Sequence, residues 1–205
     1  ALEGEEMPVH IEGFSGGDRT NIELPKVQRG LIAALHDAGK QVIMVNCPGA
    51  AIALAPEADR CQAILQAWYP GQEGGTAVAD VLFGKVNPSG KLPVTFYRNT
   101  KQLPPFENYD MKGRTYRYFK GDALYPFGYG LSYTQFAMGQ PRLEKTGEVG
   151  GNLIVDVENT GKRYGEEILQ VYVKDNEDID GPLKSLRAFQ RVSLKAGEKK
   201  TVVIP

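Results

Sequence analysis

A change in hydrophobic period along the chain constrains the fold more than any other feature. In the first half, two short and nearly unbroken apolar runs each precede a helical segment: QVIMVN (41–46) and AILQAW (63–68). Such runs, bounded by turn residues, are typical of strands covered on both faces in a parallel sheet. After residue 140, apolar and polar residues alternate instead, which is typical of antiparallel strands with one buried face. The sequence therefore predicts an α/β part followed by a β-sandwich.

The helices predicted around these strands complete the α/β pattern. One helix, within LPKVQRGLIAALHDAG (24–39), has Pro25 at its predicted first position and Gly39 as its predicted stop. Its apolar face consists of Val27, Leu31, Leu35 and Ala38. Short helical segments follow each apolar run, around AIALAPEA (51–58) and in TAVADVLFG (76–84). Strand, helix, strand and helix in this order predict a doubly wound, mostly parallel sheet.

Composition and turn residues predict a division into three parts. Residues 1–100 form an α/β sandwich domain, which we expect to be incomplete at its N-terminus. Residues 101–139 are rich in Pro, Gly and aromatic residues, and they predict a wrapped connector, since disordered segments are poor in aromatics. Residues 140–205 predict a small antiparallel sandwich of the immunoglobulin type. About five strands are predicted where that fold needs about seven, so we expect it to be incomplete at its C-terminus.

The charge balance and the cysteines exclude several classes of function. The chain has 24 basic and 25 acidic residues, whereas nucleic-acid and anionic-membrane partners require a basic excess. Its apolar runs fall short of the roughly 18–20 residues needed to span a bilayer. Cys47 and Cys61 are too few for a disulfide framework, and the predicted sheet separates them, so they should not pair. With no His/Cys cluster of ligand spacing, we predict no metal site and no cofactor.

Four long motifs carry a family resemblance: GGDR (16–19), LPKVQ (24–28), AWYPGQEGGTAVADVLFGKVNPSGKLPVTF (67–96) and YPFGYGLSYTQF (125–136). Together they resemble family 3 glycoside hydrolases, the family of β-glucosidases and β-xylosidases. Two further motifs resemble the fibronectin type III-like module of that family: VENTGKRYGEEILQVYV (157–173) and LRAFQRVSL (186–194). The resemblance covers nearly all of the chain. It implies that residues 1–100 belong to the α/β sandwich domain and residues 140–205 to the fibronectin III-like domain.

The resemblance also implies a two-domain active site. In this family an N-terminal (β/α)8 barrel supplies an Asp nucleophile, and a loop of the α/β sandwich domain supplies the acid/base of a retaining reaction. The 205 residues have no room for the barrel. We therefore expect this chain to supply the acid/base to a missing barrel domain and to be inactive alone. The complete enzyme would release glucose or xylose from the non-reducing end of an oligosaccharide or aryl glycoside, in the periplasm or after secretion.

The family's acid/base is a Glu in a Gly-Glu or Glu-x-Glu loop before an Asp-Arg pair. Here EGEE (3–6) precedes Asp18-Arg19, and matching the Gly-Glu step assigns the acid/base to Glu5. Glu3 is the nearest alternative, because the spacer leaves the register open, and Glu6 ranks below both. Met7 matches a position that lines the leaving-group subsite in some members.

Each of these assignments has a simpler alternative. The three glutamates are also what a charged, solvated terminus contains. Asp18-Arg19 fits a loop-anchoring salt bridge better than an active-site pair, and the lone His10 is more often structural. Trp68 could stack on a sugar at the carboxyl edge of the sheet, although core packing is the commoner role. For the whole chain, the competing function is a non-catalytic module that binds carbohydrate or protein.

Overall fold

The computed structural model describes residues 14–15, 18–148 and 150–205, and it divides them into two compact units. The first contains the described residues as far as Gly74 together with Thr95–Arg114 and Phe119–Pro126. The second contains Gly75–Val94, Thr115–Tyr118 and Phe127–Pro205. The division at 1–100, 101–139 and 140–205 stays a prediction.

The first unit is the α/β part of the chain. Its elements are β1 (Phe14–Ser15), β2 (Asp18–Arg19), α1 (Lys26–Asp37), β3 (Ile43–Asn46), α2 (Ala55–Arg60), β4 (Ala63–Gln66) and a 3₁₀ turn at Thr100–Gln102. The β1 and β2 strands form a small antiparallel hairpin. The β3 and β4 strands pair in parallel, from Ile43 opposite Ala63 to Asn46 opposite Gln66. Because α2 lies between them in the chain, this is the strand–helix–strand unit that the apolar runs predict.

Helix α1 begins one residue later than the sequence predicts. Pro25 has extended dihedral angles, φ −51° and ψ 142°, and so precedes the helix as its cap. Its carbonyl accepts the first helical hydrogen bond, from the Arg29 N–H at 3.1 Å. The predicted stop is in place: Gly39 has φ +70°, a conformation that glycine adopts without steric cost.

The apolar faces of α1 and β3 are exposed within the described residues. Val27 on α1 is 84% exposed, and Ile43 on β3 is 56% exposed. The prediction that β3 is covered on both faces is therefore wrong for the described part of the chain. The reason is that an apolar run indicates that a strand needs cover but not which segment supplies it.

The buried core of the first unit includes one ion pair. Its apolar members are Leu24, Ile52, Ala53, Leu54 and Phe96. The side chain of Glu57 on α2 is fully buried, and its carboxylate accepts a hydrogen bond from Arg29 Nε at 2.7 Å. Arg29 Nη2 also donates to the Ala53 carbonyl at 3.2 Å. These contacts join α1 to α2 and to the segment before it.

The second unit contains two antiparallel sheets. Its elements are α3 (Gly74–Leu82), which begins at the boundary, α4 (Thr115–Tyr118), β5 (Phe136–Met138), β6 (Arg142–Lys145), β7 (Gly151–Asn159), β8 (Gly165–Val173), β9 (Ser185–Leu194) and β10 (Lys199–Ile204). One sheet is built on β7, which pairs with β5, β6 and β10, and the other consists of β8 and β9. Five of these strands, β6 to β10, lie within residues 140–205, where about five were predicted, and β5 lies in the predicted connector.

The core of these sheets follows the period of two seen in the sequence. Its buried members are Val155, Val157, Leu169, Val192, Leu194, Val202 and Ile204. On β7, Val155 and Val157 alternate with more exposed neighbours, as predicted, but Ile154 on the opposite face is buried as well. Strands β7, β9 and β10 each contribute two alternate residues to this interior and β8 contributes Leu169, which is the packing expected of a β-sandwich.

Residues 127–130 pack on β8 through the backbone of Gly128 and the ring of Phe127, which lies edge-on to Tyr172. Gly128 has φ +82°, its N–H donates to the Leu92 carbonyl, and its carbonyl accepts from Gln170 Nε2 at 3.0 Å. A Cβ at position 128 would collide with the Gln170 amide, which would have to move, and the positive φ is one that glycine adopts without steric cost. Beside it, the Phe127 ring stacks on Tyr116 with centroids 4.2 Å apart. The aromatic residues predicted to form a packed connector are thus in part ordered against the sheet.

Candidate functional site

The residues that the sequence assigns to the catalytic site lie outside the described residues. These are Glu5, the alternatives Glu3 and Glu6, and the subsite residue Met7; His10 also lies outside. The described chain begins with the hairpin β1–β2 and continues through residues 20–24, which we call the stem. The stem is the first well-connected segment after the predicted acid/base loop.

Arg19 holds the stem to the hairpin. Its Nη2 donates a hydrogen bond to the Glu23 carbonyl at 2.7 Å. The Glu23 N–H in turn donates to Asn21 Oδ1 at 3.2 Å, which closes a local turn. The sequence predicts a loop-anchoring salt bridge for the Asp18-Arg19 pair. Among the described residues, the Arg19 side chain instead donates this hydrogen bond to a backbone carbonyl.

The Glu23 side chain connects the stem to the 3₁₀ turn at Thr100–Gln102. Thr100 Oγ1 donates to Glu23 Oε2 at 2.5 Å, and the Thr100 N–H donates to Oε1 at 2.9 Å. The same hydroxyl oxygen accepts a hydrogen bond from the Ile22 N–H at 3.1 Å. We call this arrangement of Ile22, Glu23 and Thr100 the latch. Both oxygens of the carboxylate are used, and hydrogen bonds to a charged acceptor are among the stronger ones in proteins.

The environment of Glu23 keeps its carboxyl group ionised. Partial burial by itself would raise the pKa. The hydrogen bonds from the Thr100 hydroxyl and N–H outweigh burial, because they stabilise the charged form, and the Arg29 charge acts in the same direction. The net effect is a Glu23 pKa below its ordinary value of 4.5. At neutral pH the latch is therefore complete.

The stem also joins the segment between β3 and α2. Glu23 forms a parallel bridge with Ala53, and the Ala53 N–H donates to the Ile22 carbonyl at 2.8 Å. Ala53 is fully buried, and Leu24 at the end of the stem is buried as well. The stem is thus fixed by side-chain contacts on one side and by backbone contacts on the other.

The carboxyl ends of β3 and β4 form a second polar group of side chains in the first unit. Asn46 and Gln66, the last residues of the two strands, are joined by a hydrogen bond from Nδ2 to Oε1 at 2.7 Å. The buried Gln66 Nε2 has no hydrogen-bond partner among the described residues. In open α/β sheets this edge is where ligands bind. The sequence predicts Trp68 as the last residue of the second strand, whereas β4 ends at Gln66 and Trp68 follows two residues later.

Trp68 has an unusual backbone conformation at this edge. Its φ is +54°, in the left-handed region that bulky residues rarely adopt. Such strain costs about 1–3 kcal/mol and tends to occur at functional sites. The half-buried indole packs edge-on against Phe96, with ring centroids 6.1 Å apart. This contact supports the packing role, and stacking on a sugar stays a prediction.

The remaining candidate groups within the described residues are two cysteines, one histidine and the acidic side chains. Across the part of the chain that the structure describes, no set of three His, Cys, Asp or Glu residues has the arrangement of a metal site. Cys47 and Cys61 are both free thiols. His36 is exposed, and its Nδ1 lies 3.3 Å from Asp37 Oδ1. Each described helix is also too short or too polar to cross a membrane.

Sequence reasoning missed the latch and the buried ion pair of Arg29 with Glu57. Glu23 and Thr100 are 77 positions apart, and Arg29 and Glu57 are 28 apart. Neither separation corresponds to a local motif, so no pattern in the sequence pairs these residues. The one available signal for Glu57 is a charge within an otherwise apolar segment, AIALAPEA.

Comparison with known proteins identifies the family. A family model described as the glycosyl hydrolase family 3 C-terminal domain matches residues 2–133, and a fibronectin type III-like domain model matches residues 167–205. The chain is 64% identical over 202 residues to a xylan 1,4-β-xylosidase of Xylanibacter ruminicola, covering 98% of this chain and 23% of that protein. It is 42% identical to a periplasmic β-glucosidase of Salmonella typhimurium, covering 100% of this chain and 28% of that protein.

Solved structures show the same relationship. A β-glucosidase from Streptomyces venezuelae, crystallised with D-glucose, is 36% identical and superimposes with a TM-score of 0.83 over 92% of this chain and 26% of that one. The chain therefore spans about a quarter of the length of its relatives. The resemblance seen in the sequence motifs is confirmed: the chain belongs to glycoside hydrolase family 3, as the C-terminal part that carries a fibronectin type III-like domain.

Proposed function

We propose that this chain acts within a longer, retaining and exo-acting β-glycosidase, to which it contributes the general acid/base. One observation carries the proposal: 98% of the chain matches, at 64% identity, a protein named as a xylan 1,4-β-xylosidase. A terminal β-xylosyl residue of an oligosaccharide or aryl glycoside is accordingly the proposed substrate, with a β-glucosyl residue as the alternative. The name of the Salmonella relative supports a periplasmic or secreted location.

In the proposed mechanism, Glu5 protonates the glycosidic oxygen as the bond breaks and then activates water for the second step. Retaining hydrolysis uses two carboxyl groups about 5–5.5 Å apart, one as nucleophile and one as acid/base. The nucleophile is an Asp of a barrel domain elsewhere in the full-length protein. Closure of the EGEE loop against that domain would remove water from Glu5 and raise its pKa, which keeps the acid protonated near neutral pH. Met7 would then contact the leaving group.

The exposed apolar face of α1 supports a role within a larger protein. Val27 and Leu31 lie on this face, and contiguous exposed apolar surface is typical of an interface. We propose that the rest of the α/β domain covers it in the full-length enzyme, which would complete the doubly wound sheet. The isolated 205-residue chain should then hydrolyse no glycoside at an enzyme-like rate, because the nucleophile belongs to another domain.

The test is Glu5→Gln in the full-length protein, with Glu3→Gln and Glu6→Gln as matched controls. Glu5→Gln should lower kcat/KM about 10²–10⁴-fold for xylosides with poor leaving groups. Activated aryl xylosides should react nearly normally in the first chemical step, because their leaving groups need little protonation. If Glu5→Gln affects both substrates equally, or if Glu3→Gln shows the selective loss instead, the assignment to Glu5 is wrong.

A further inference from the structure

We propose that Glu23 and Thr100 are positioning residues for the acid/base loop, acting through the stem. The proposal rests on the proposed function, because it requires that the segment before the hairpin carry the acid. Neither residue belongs to the EGEE segment, and neither would touch the substrate. Their role would be to fix the place and direction in which the chain leaves the scaffold toward that loop.

The first argument is that one residue, Thr100, binds the stem at two adjacent residues, Ile22 and Glu23. The Thr100 hydroxyl accepts from the Ile22 N–H and donates to the Glu23 carboxylate, while the Thr100 N–H donates to the other carboxylate oxygen. Three hydrogen bonds from a single side chain and its backbone define both the position and the rotation of the stem. A single contact would fix the position alone.

The second argument is that the hairpin is short. Its strands have two residues each, and an isolated two-stranded hairpin is marginal in water even when it is longer. Among the described contacts, the hydrogen bond from Arg19 on β2 to the Glu23 carbonyl joins the hairpin to the residue that forms the latch. Loosening the stem should therefore loosen the hairpin, which in the chain lies between the stem and the predicted acid/base segment.

The third argument concerns magnitude. Displacing a catalytic group by about 1 Å can cost on the order of 10²-fold in rate. A positioning defect should therefore appear in kcat for reactions that need the acid, and it should spare reactions that do not. A general loss of structure would affect both kinds of reaction alike, so leaving-group dependence separates the two explanations.

The experiment uses the full-length enzyme with Thr100→Val, Thr100→Ser and Glu23→Gln. Valine keeps the shape of threonine without its hydroxyl, and serine restores that hydroxyl. The matched control is Arg98→Met, which removes a 2.9 Å hydrogen bond to Asp122 next to the same 3₁₀ turn without touching the stem. Steady-state kcat and KM are measured on xylosides with poor and with activated leaving groups, together with the thermal midpoint.

Thr100→Val and Glu23→Gln should lower kcat on the poor-leaving-group substrate by roughly 10-fold or more. KM and the activated substrate should change less than about 2-fold, Thr100→Ser should recover most of the loss, and Arg98→Met should behave as the parent. Adding Thr100→Val to Glu5→Gln should cause no further selective loss, because both changes act through the same acid.

Two failures are distinguishable. If Glu5→Gln shows selective loss and Thr100→Val shows none, or loses activity equally on both substrates, the positioning proposal is refuted and the proposed function stands. If Glu5→Gln itself lacks the selective loss, the assignment of the acid to Glu5 is refuted and the positioning proposal falls with it.

Discussion

Replacing Asn159 with alanine should destabilise the β-sandwich more than any exposed substitution in it. Asn159 ends β7, and its side chain is 0% exposed. Its Oδ1 accepts hydrogen bonds from Thr134 Oγ1 at 2.7 Å and from the Gly161 N–H at 3.1 Å. Its Nδ2 donates to the Arg163 carbonyl at 2.7 Å and to the Leu194 carbonyl at 3.1 Å. The amide thus uses its full hydrogen-bonding capacity.

The size of the effect follows from the burial of these partners. Replacing Asn159 with alanine leaves four groups without their hydrogen-bond partner. Two of them, the Gly161 N–H and the Arg163 carbonyl, are only partly buried, so water can replace the amide there. The Thr134 hydroxyl and the Leu194 carbonyl are buried, and each unpaired buried group costs about 1–3 kcal/mol. We therefore expect a loss of about 3 kcal/mol. Thr134→Val removes a single hydrogen bond and should cost about 1 kcal/mol.

The assay is hydrogen exchange of peptides from β7 to β10 in the full-length protein. Exchange reports the opening of this region separately from other domains. A loss of about 3 kcal/mol corresponds to exchange roughly 100-fold faster. The exposed Asn176→Ala serves as control, with an expected change within about 0.5 kcal/mol. If Asn159→Ala accelerates exchange no more than this control does, the network does not hold the sandwich and the reasoning is refuted.

Three further predictions follow from individual contacts. Arg29→Met should lower the free energy of unfolding by about 3–5 kcal/mol, because it leaves the fully buried Glu57 carboxylate unpaired. Thermal unfolding checks it, and a loss below about 1 kcal/mol contradicts it. Gly128→Ala should lower the thermal midpoint, because φ is +82° and the added Cβ collides with the Gln170 amide; an unchanged midpoint would mean that the loop relaxes freely. Iodoacetamide should label Cys47 before Cys61, which peptide mass spectrometry can measure. Cys47 is exposed, whereas burial and the negative charge of Glu57 raise the pKa of the Cys61 thiol and so lower its reactivity. Equal rates would contradict this.

Much of the local structure could be predicted because it depends on neighbouring residues. The helix stop at Gly39, the parallel neighbours β3 and β4, and the alternation of Val155 and Val157 on β7 all follow from turn chemistry and hydrophobic period. The long motifs also identified the family, which the comparisons confirm. The assignment of the acid/base to Glu5 comes from that resemblance and stays a prediction, since the residue lies outside the described part of the chain.

The contacts that hold the stem could not be predicted. Thr100 lies in a Pro- and Gly-rich segment that gives no sign of a partner, and it reaches Glu23 only because the fold returns the chain to the same place. The left-handed conformation of Trp68 likewise has no signal in its own sequence context. A hydrogen bond requires correct distance and direction between two groups, and for distant residues only the folded backbone sets both. Hydrophobic period and turn chemistry act between neighbours, so the sequence determined which segments become helices and strands, while the tertiary structure decided which side chains meet.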